Sequence, residues 1–132
     1  VRLATERDNL HRLSFATEFD ALQGFDILFA LGSPQYLPEM LADRLARLSK
    51  RPRHLLLNLI PLHEKHSFFT LQSIGTAFCP YRITSVADWM KGFGALGYTA
   101  VGHWENPEKK CAIPFHAEHS LDRYHGFYFR QG

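Results

Sequence analysis

Two uninterrupted apolar runs, separated by an amphipathic segment, constrain the fold of this chain more than any other feature of its sequence. The first run covers residues 25–31 and ends at Gly32, and the second covers residues 54–60 and ends at Pro61. Such runs are typical of strands buried on both faces of a parallel sheet. Between them, the apolar residues of segment 38–50 recur at helical spacing. We therefore predict a β-α-β unit with parallel strands and a right-handed crossover.

The rest of the chain gives weaker signals. Ser85, followed three residues later by Asp88, predicts a helix start, and Gly97 suits the left-handed end of that helix. Two later strands are expected to pair as an antiparallel hairpin. The remaining predicted elements are a polar helix over residues 1–9, a short strand over 13–17, a long functional loop over 61–84, a helix over 85–97, a strand over 98–104, a polar loop over 105–123 and a strand over 124–130.

Length and composition bound the class of protein. The 132 residues are 45% hydrophobic and 21% charged, which is typical of one ordinary globular domain. A formal net charge of +2 is too small to indicate nucleic-acid binding, and no apolar stretch reaches the roughly 18 residues of a membrane span. Two cysteines are too few for a disulfide scaffold, and no leader sequence precedes them, so we predict reduced thiols and a cytoplasmic location.

Polar side chains follow the two apolar strands, where ligands bind in open parallel sheets. Gly32 lets a ligand approach the backbone, and Ser33 and Gln35 offer it hydrogen bonds. Ordinary turn chemistry explains the same Gly-Ser-Pro sequence, and this alternative stays open. The predicted ligand-binding residues are Gly32, Ser33, Gln35 and Tyr36 after the first strand, Asn58 and His63 after the second, and Gln72, Tyr81 and Arg82 in the loop.

Two of these loop residues have a specific expected role. Tyr81 and Arg82 suit a planar or anionic substrate, because an aromatic ring and a guanidinium group lie side by side. An ion pair between Arg82 and a carboxylate is the equally simple structural alternative. Cys79 is a candidate nucleophile, but its neighbours Phe78 and Pro80 favour a buried thiol.

The eight histidines do not have the spacing of a metal site. Close pairs occur, such as His63 with His66, Cys111 with His116, and His119 with His125. A structural zinc site needs four convergent ligands, usually in two close pairs, and neither cysteine has a cysteine two to four residues away. We therefore predict scattered surface or loop histidines and no metal site.

The order of these elements resembles the C-terminal portion of class I S-adenosylmethionine-dependent methyltransferases. A strand with a small polar turn, a helix, a second apolar strand, a long loop, a helix ending in Leu-Gly-Tyr and a terminal hairpin cover nearly the whole chain. The strings FDILFALGSPQYLP, IGTAFCPYRI and ENPEKKCAIPF more narrowly resemble a bacterial methyltransferase family. The resemblance implies an α/β fold with a partial Rossmann-like sheet, mostly parallel with a C-terminal antiparallel hairpin.

The resemblance also implies half of a cofactor site. It places Thr17, Glu18 and Phe19 near the adenine of S-adenosylmethionine, and Gly32 and Ser33 near its methionine moiety. The glycine-rich turn and the acidic residue that hold the cofactor in that family have no counterpart in this sequence and would precede its first residue. The chain is therefore interpreted as a single incomplete domain over residues 1–132, inactive on its own.

Three functions are compatible with this sequence. The leading one is the C-terminal part of a methyltransferase that acts on an unidentified small molecule, with His63 or His103 as a candidate general base. The alternative is a non-catalytic methyltransferase-like domain for interaction or dimerisation. A metal-dependent hydrolase that uses the histidines is the third.

The missing strands also predict an oligomeric state. Without them, the apolar strand at residues 25–31 would have an unpaired edge, with Ile27, Leu28 and Phe29 uncovered beside it. Such an edge is a template for pairing with another strand. The N-terminal segment of the chain could repair this edge only by antiparallel pairing, because the link at residues 18–24 is too short for a parallel crossover. We therefore predict a homodimer about a two-fold axis, with the exposed edge or its apolar face at the interface.

Overall fold

The structure is a computed structural model that describes residues 6–8 and 12–132. Short 3-10 turns cover Phe19–Leu22, Pro34–Tyr36 and Ala117–His119. Between residues 12 and 132 the strands and α-helices are, in chain order, β1 (Ile27–Leu31), α1 (Leu41–Ala46), β2 (His54–Ile60), β3 (Leu62–His63), β4 (Phe68–Ser73), β5 (Phe78–Ser85), α2 (Val86–Ala95), β6 (Tyr98–Asn106) and β7 (Tyr124–Gln131).

The larger sheet has four strands in the order β1-β2-β7-β6. β1 and β2 are parallel, with Ile27 opposite His54, whereas β7 is antiparallel to both β2 and β6. One face of this sheet is covered by α1 and α2, which together with it form the main core. Its most buried side chains are Leu45, Leu55, Leu57, Phe93 and Phe129.

The smaller sheet has three strands in the order β3-β5-β4. It lies where the sequence predicted a loop over residues 61–84, so that prediction is wrong. In β4 the apolar Phe69 and Leu71 face solvent, while Thr70 and Gln72 are half-buried. This arrangement inverts the usual strand pattern of apolar residues inside and polar residues outside.

The predicted mostly parallel, Rossmann-like α/β fold is also wrong. Three of the five strand pairings are antiparallel, and the strands are divided between two mixed sheets. The predicted strand at 13–17 is likewise absent, because residues 12–16 have no regular structure. Leu13 is 64% exposed there, so its alternation with Phe15 does not mark a buried face. The predicted helix over 1–9 lies largely outside the described residues.

Several local predictions are confirmed. β1, α1 and β2 form the predicted parallel β-α-β unit, and β6 with β7 forms the predicted hairpin. Helix α2 begins where expected, because the Ser85 hydroxyl accepts a hydrogen bond from the Asp88 backbone N–H at 3.0 Å. Gly97 follows the helix with a φ of +82°. None of the helices in the described part of the chain has the length and apolar character that a membrane crossing requires.

Candidate ligand-binding site

A cavity of about 490 Å³ opens at the carboxyl ends of the parallel strands β1 and β2. This is the position that the sequence predicted for a ligand site. The volume falls within the range of small-molecule sites. Its polar lining groups include Gln35, Tyr36, Gln72, Tyr81, Lys109, Lys110, Cys111 and Tyr124.

Two unusual backbone conformations shape the cavity wall. Gly32 has a φ of +59° and donates its N–H to the Asn58 carbonyl at 2.8 Å. Leu59 also has a positive φ, 57°, within the register shift between Leu57 and Ile60 of β2. A branched side chain in this region is strained, since its Cβ crowds the backbone. Strain of this kind is concentrated at functional sites.

A chain of three polar side chains crosses the cavity floor. Gln35 Nε2 donates a long hydrogen bond of 3.4 Å to the Tyr81 hydroxyl, which is 2.9 Å from the Tyr124 hydroxyl. Burial is the main cause that raises the pKa of both tyrosines, so they are neutral at physiological pH. The carbonyl oxygen Oε1 of Gln35 is buried and has no hydrogen-bond partner among the residues that the structure describes. An unpaired buried acceptor costs about 1–3 kcal/mol, and a ligand N–H or O–H would satisfy it once rotation of the side chain turns this oxygen towards the cavity.

A second polar pair closes the side of the cavity towards β4. The Tyr36 hydroxyl donates to Gln72 Oε1 at 2.6 Å. The Tyr36 ring also meets the Tyr81 ring edge-on, with centroids 5.3 Å apart. The two tyrosines therefore present aromatic surface and fixed hydroxyls to the same space.

The charges around the cavity have one sign. Lys109 and Lys110 are exposed residues of its lining, and none of the lining residues is acidic. Cys111 is half-buried, and burial raises the pKa of its thiol, which therefore stays protonated and is a poor nucleophile. The cavity thus favours a small anionic ligand that also carries a hydrogen-bond donor.

The structure brings together five of the predicted site residues and separates the others from them. Gly32, Gln35, Tyr36, Gln72 and Tyr81 line the cavity. The predicted residues that do not line it are Thr17, Glu18, Phe19, Ser33, Asn58, His63 and Arg82.

Two of the separated residues are engaged in structural contacts. The carbonyl oxygen of the Asn58 side chain accepts hydrogen bonds from Trp104 Nε1 and Asn106 Nδ2, both at 2.9 Å. The guanidinium of Arg82 donates to the Pro38 carbonyl at 2.5 Å and lies 4.3 Å from the centre of the Phe69 ring. The ion pair considered for Arg82 is thus replaced by a carbonyl contact and a cation–π contact.

The remaining predicted residues lie elsewhere. Thr17, Glu18 and Phe19 line a separate cavity of about 240 Å³ beside Arg44 and Arg47. This cavity shares no lining residue with the one that contains Gly32. The groups predicted for the two ends of S-adenosylmethionine therefore do not form one site in the described residues.

His63 and His103, the candidate bases, are both bonded outside the cavity. His63 Nδ1 accepts backbone N–H groups of Lys65 and His66 at 3.0 and 2.9 Å, and its Nε2 donates to the Glu118 carbonyl at 2.9 Å. His103 Nε2 lies 3.0 Å from Nδ1 of His125.

Sequence reasoning missed Tyr124, Cys111 and Leu59. Tyr124 was assigned only to a strand, and its partner Tyr81 is 43 residues away in the chain. No local pattern signals such a contact. The positive φ of Leu59 is equally invisible, because glycine is the residue that normally marks that conformation.

Comparison with known proteins adds no further assignment. No protein-family model matches the chain, and no curated protein and no solved structure is significantly similar to it. The function is therefore inferred from the residues and from the geometry of the cavity.

Proposed function

We propose that this chain binds a small molecule with an anionic group and a hydroxyl or amine donor, as the acceptor-binding part of an S-adenosylmethionine-dependent methyltransferase. The observation that carries the proposal is the unpartnered Gln35 Oε1, which is buried at the carboxyl ends of β1 and β2. A hydroxyl or amine of a methyl acceptor is the kind of group that this oxygen accepts.

The surrounding groups would orient such an acceptor. Its donor group bonds to Gln35 Oε1, its planar part packs against Tyr36 and Tyr81, and its anionic group faces Lys109 and Lys110. The neutral tyrosine hydroxyls are donors and acceptors with fixed positions. The contribution to catalysis is positioning of the acceptor atom for attack on the methyl group.

The cofactor itself does not fit the described residues. Residues 17–19 and Gly32 lie in separate cavities, and no acidic side chain lines the cavity at β1 and β2. We therefore assign no catalytic step to this chain alone. We expect S-adenosylmethionine titrated into the chain to give no saturable heat at micromolar concentrations, and micromolar binding would contradict this expectation.

Thermal stabilisation by small hydroxy- and amino-carboxylates tests the proposal, with 4-hydroxybenzoate as the first probe. Phenol and benzoate are its matched controls, since each lacks one of the two recognised groups. We expect 4-hydroxybenzoate at 100 times its Kd to stabilise the fold by about 2.7 kcal/mol. The variant Gln35→Leu should lose most of this effect.

The matched control variant is Gln23→Leu, a change of the same type at an exposed position outside the cavity. It should keep the stabilisation. If none of the hydroxy- or amino-carboxylates stabilises the chain, or if Gln35→Leu responds as well as Gln23→Leu, the proposal is wrong.

The second candidate function is a non-catalytic dimerisation domain, and the open face of β1 favours it. β1 is an edge strand among the described residues, and Ile27, Phe29 and Leu31 are 56–61% exposed on one side of it. Leu28, which was also expected to be uncovered, is instead buried in the main core. A second copy of the chain packed on this open face would cover the three exposed side chains.

Sedimentation tests the dimer. The wild type should associate at tens of micromolar and unfold at a temperature that rises with its concentration. Phe29→Ser should weaken association while leaving the helix-covered core intact, because Phe29 points away from it. A wild type that stays monomeric, with no concentration dependence of unfolding, would reject the dimer.

A further inference from the structure

Four of the eight histidines gather at one place outside the ligand cavity. The ring centroids of His63 and His66 are 5.4 Å apart, those of His66 and His119 are 6.0 Å apart, and those of His116 and His119 are 5.9 Å apart. Glu118 lies among them. The spacing in the sequence predicted scattered histidines, and the fold brings them together.

We propose that His116, Glu118 and His119 bind a divalent transition-metal ion, with Zn²⁺ as the expected ion. Glu118 Oε1 lies 3.3 Å from His116 Nδ1 and 3.0 Å from His119 Nδ1. One ligand atom from each of the three residues lies within 4.8 Å of the other two.

These distances are close to those of a coordination sphere. Zinc binds imidazole nitrogen and carboxylate oxygen at about 2.0–2.2 Å, so neighbouring ligand atoms in a tetrahedral site are about 3.3–3.6 Å apart. Both distances from Glu118 Oε1 are already near this value. Zinc would take the place of the hydrogen bonds between the two imidazoles and the carboxylate, with the proton of each neutral ring on Nε2 and the Nδ1 lone pair facing the ion.

The backbone of the three residues is fixed before any ion binds. Glu118 and His119 lie on the 3-10 turn Ala117–His119, and His116 is the residue that caps its N-terminus, where its carbonyl accepts the His119 N–H at 3.0 Å. The hydroxyl of Ser120 accepts the Ile113 N–H at 2.9 Å and ties the turn to the preceding segment. Ordering the ligands therefore requires rotation of side chains rather than folding of a loop.

His63 is a positioning residue for this site and not a ligand. Its Nε2 donates to the backbone carbonyl of Glu118, and its Nδ1 accepts two backbone N–H groups, so neither nitrogen has a free lone pair. The hydrogen bond from His63 to the Glu118 carbonyl holds the backbone of the turn at one of the ligand residues. Such outer partners tune metal affinity by about 10- to 100-fold.

The donor set and its exposure define the class of ion. Two imidazoles and one carboxylate suit Zn²⁺, Ni²⁺ or Cu²⁺ better than Mg²⁺ or Ca²⁺, which prefer oxygen ligands. His116 and Glu118 are more than 60% exposed at their side chains. The ion would therefore exchange with solvent, with water or the exposed His66 completing its coordination.

Calorimetric titration of ZnCl₂ into chelator-treated and then desalted protein tests the site. We expect one ion per chain with micromolar affinity and no comparable binding of MgCl₂. Glu118→Gln keeps the side-chain size and removes the charged ligand, and His119→Gln removes one imidazole. Each should weaken zinc binding about tenfold or more.

The matched control is His103→Gln, which removes an imidazole from the separate His103–His125 pair. It should bind zinc as the wild type does. The ligand side chains are largely exposed, so Glu118→Gln should retain the far-ultraviolet circular dichroism of the wild type. Absence of saturable Zn²⁺ binding in the wild type, or wild-type affinity in both Glu118→Gln and His119→Gln, would overturn the proposal.

Discussion

The two apolar clusters of this chain are built for different purposes. The cluster under the helices has 14 buried side chains, of which only Trp89 and Tyr98 carry polar atoms. The second cluster, behind the cavity, consists of Tyr81, Ile83, Leu121 and Tyr124, and so buries two hydroxyls in its four side chains. Burial of polar groups costs free energy unless each finds a partner. The first cluster therefore stabilises the fold, and the second positions hydrogen-bonding groups at the cavity.

Truncation of a ring in the first cluster should give the largest effect. Phe93→Ala removes a ring that stacks on Phe129 with centroids 4.7 Å apart and contacts Trp89 edge-on at 4.8 Å. We expect the free energy of unfolding in urea to fall by about 3–5 kcal/mol. Phe78→Ala, at a residue 72% exposed, is the control and should change it by less than about 0.5 kcal/mol. Equal losses in the two variants would contradict this account of the core.

Removal of one hydroxyl in the second cluster should give a smaller and coupled effect. Tyr81→Phe and Tyr124→Phe each break the hydrogen bond between the two rings. Each should lower the free energy of unfolding by about 1 kcal/mol. Because the two hydroxyls bond to each other, the double variant should lose less than the sum of the two, and a double-mutant cycle measures the difference.

Tyr98→Phe tests whether a hydroxyl in the main core affects ligand binding in the same way as a hydroxyl in the second cluster. The Tyr98 hydroxyl donates to the Pro52 carbonyl at 2.5 Å, and its ring belongs to the main core. Its stability loss should be similar to that of Tyr81→Phe, but stabilisation by 4-hydroxybenzoate should fall only in Tyr81→Phe. The same ligand response in both variants would show that the second cluster has no special role in binding.

The predictable part of the fold is the part that local signals encode. The apolar runs of β1 and β2 and the Ser85 cap of α2 each lie within a few residues of the structure that they specify. β4 and β5 were missed because their alternation is short, as in the four residues from Phe69 to Gln72. Pairing between them also depends on a partner strand, which no local pattern encodes.

The residues of the cavity were likewise predictable only where a local sequence signal marks them. Gln35 and Tyr36 follow an apolar strand directly, so the rule for strand ends found them. Tyr124 reaches Tyr81 only through the fold, and the histidines at 63 and 119 meet only when the 3-10 turn packs beside β3 and β4. Prediction therefore ends where contacts span about a third of the chain or more.

Acid should give the smallest effect, through a residue between the two clusters. His125 lies on β7 between Tyr124 of the second cluster and Phe127 of the first. Burial, and then the like charge of His103, lowers the pKa of His125 from its ordinary value of 6.5, while Glu105 and Asp122 act in the opposite sense and Arg123 in the same one. The unfolded chain therefore binds this proton more readily than the folded chain does.

The sign of the pH dependence follows from that difference. The contribution of neutral His125 to stability is complete above about pH 6.5 and is lost as the pH falls through and below that value. With a chelator present, the melting temperature of the wild type should fall more steeply between about pH 7.5 and pH 5 than that of His125→Gln. His66→Gln, a substitution of the same type at an exposed position, is measured beside it as the matched control. Parallel slopes for the wild type and His125→Gln would show that protonation of His125 does not affect the stability of the fold.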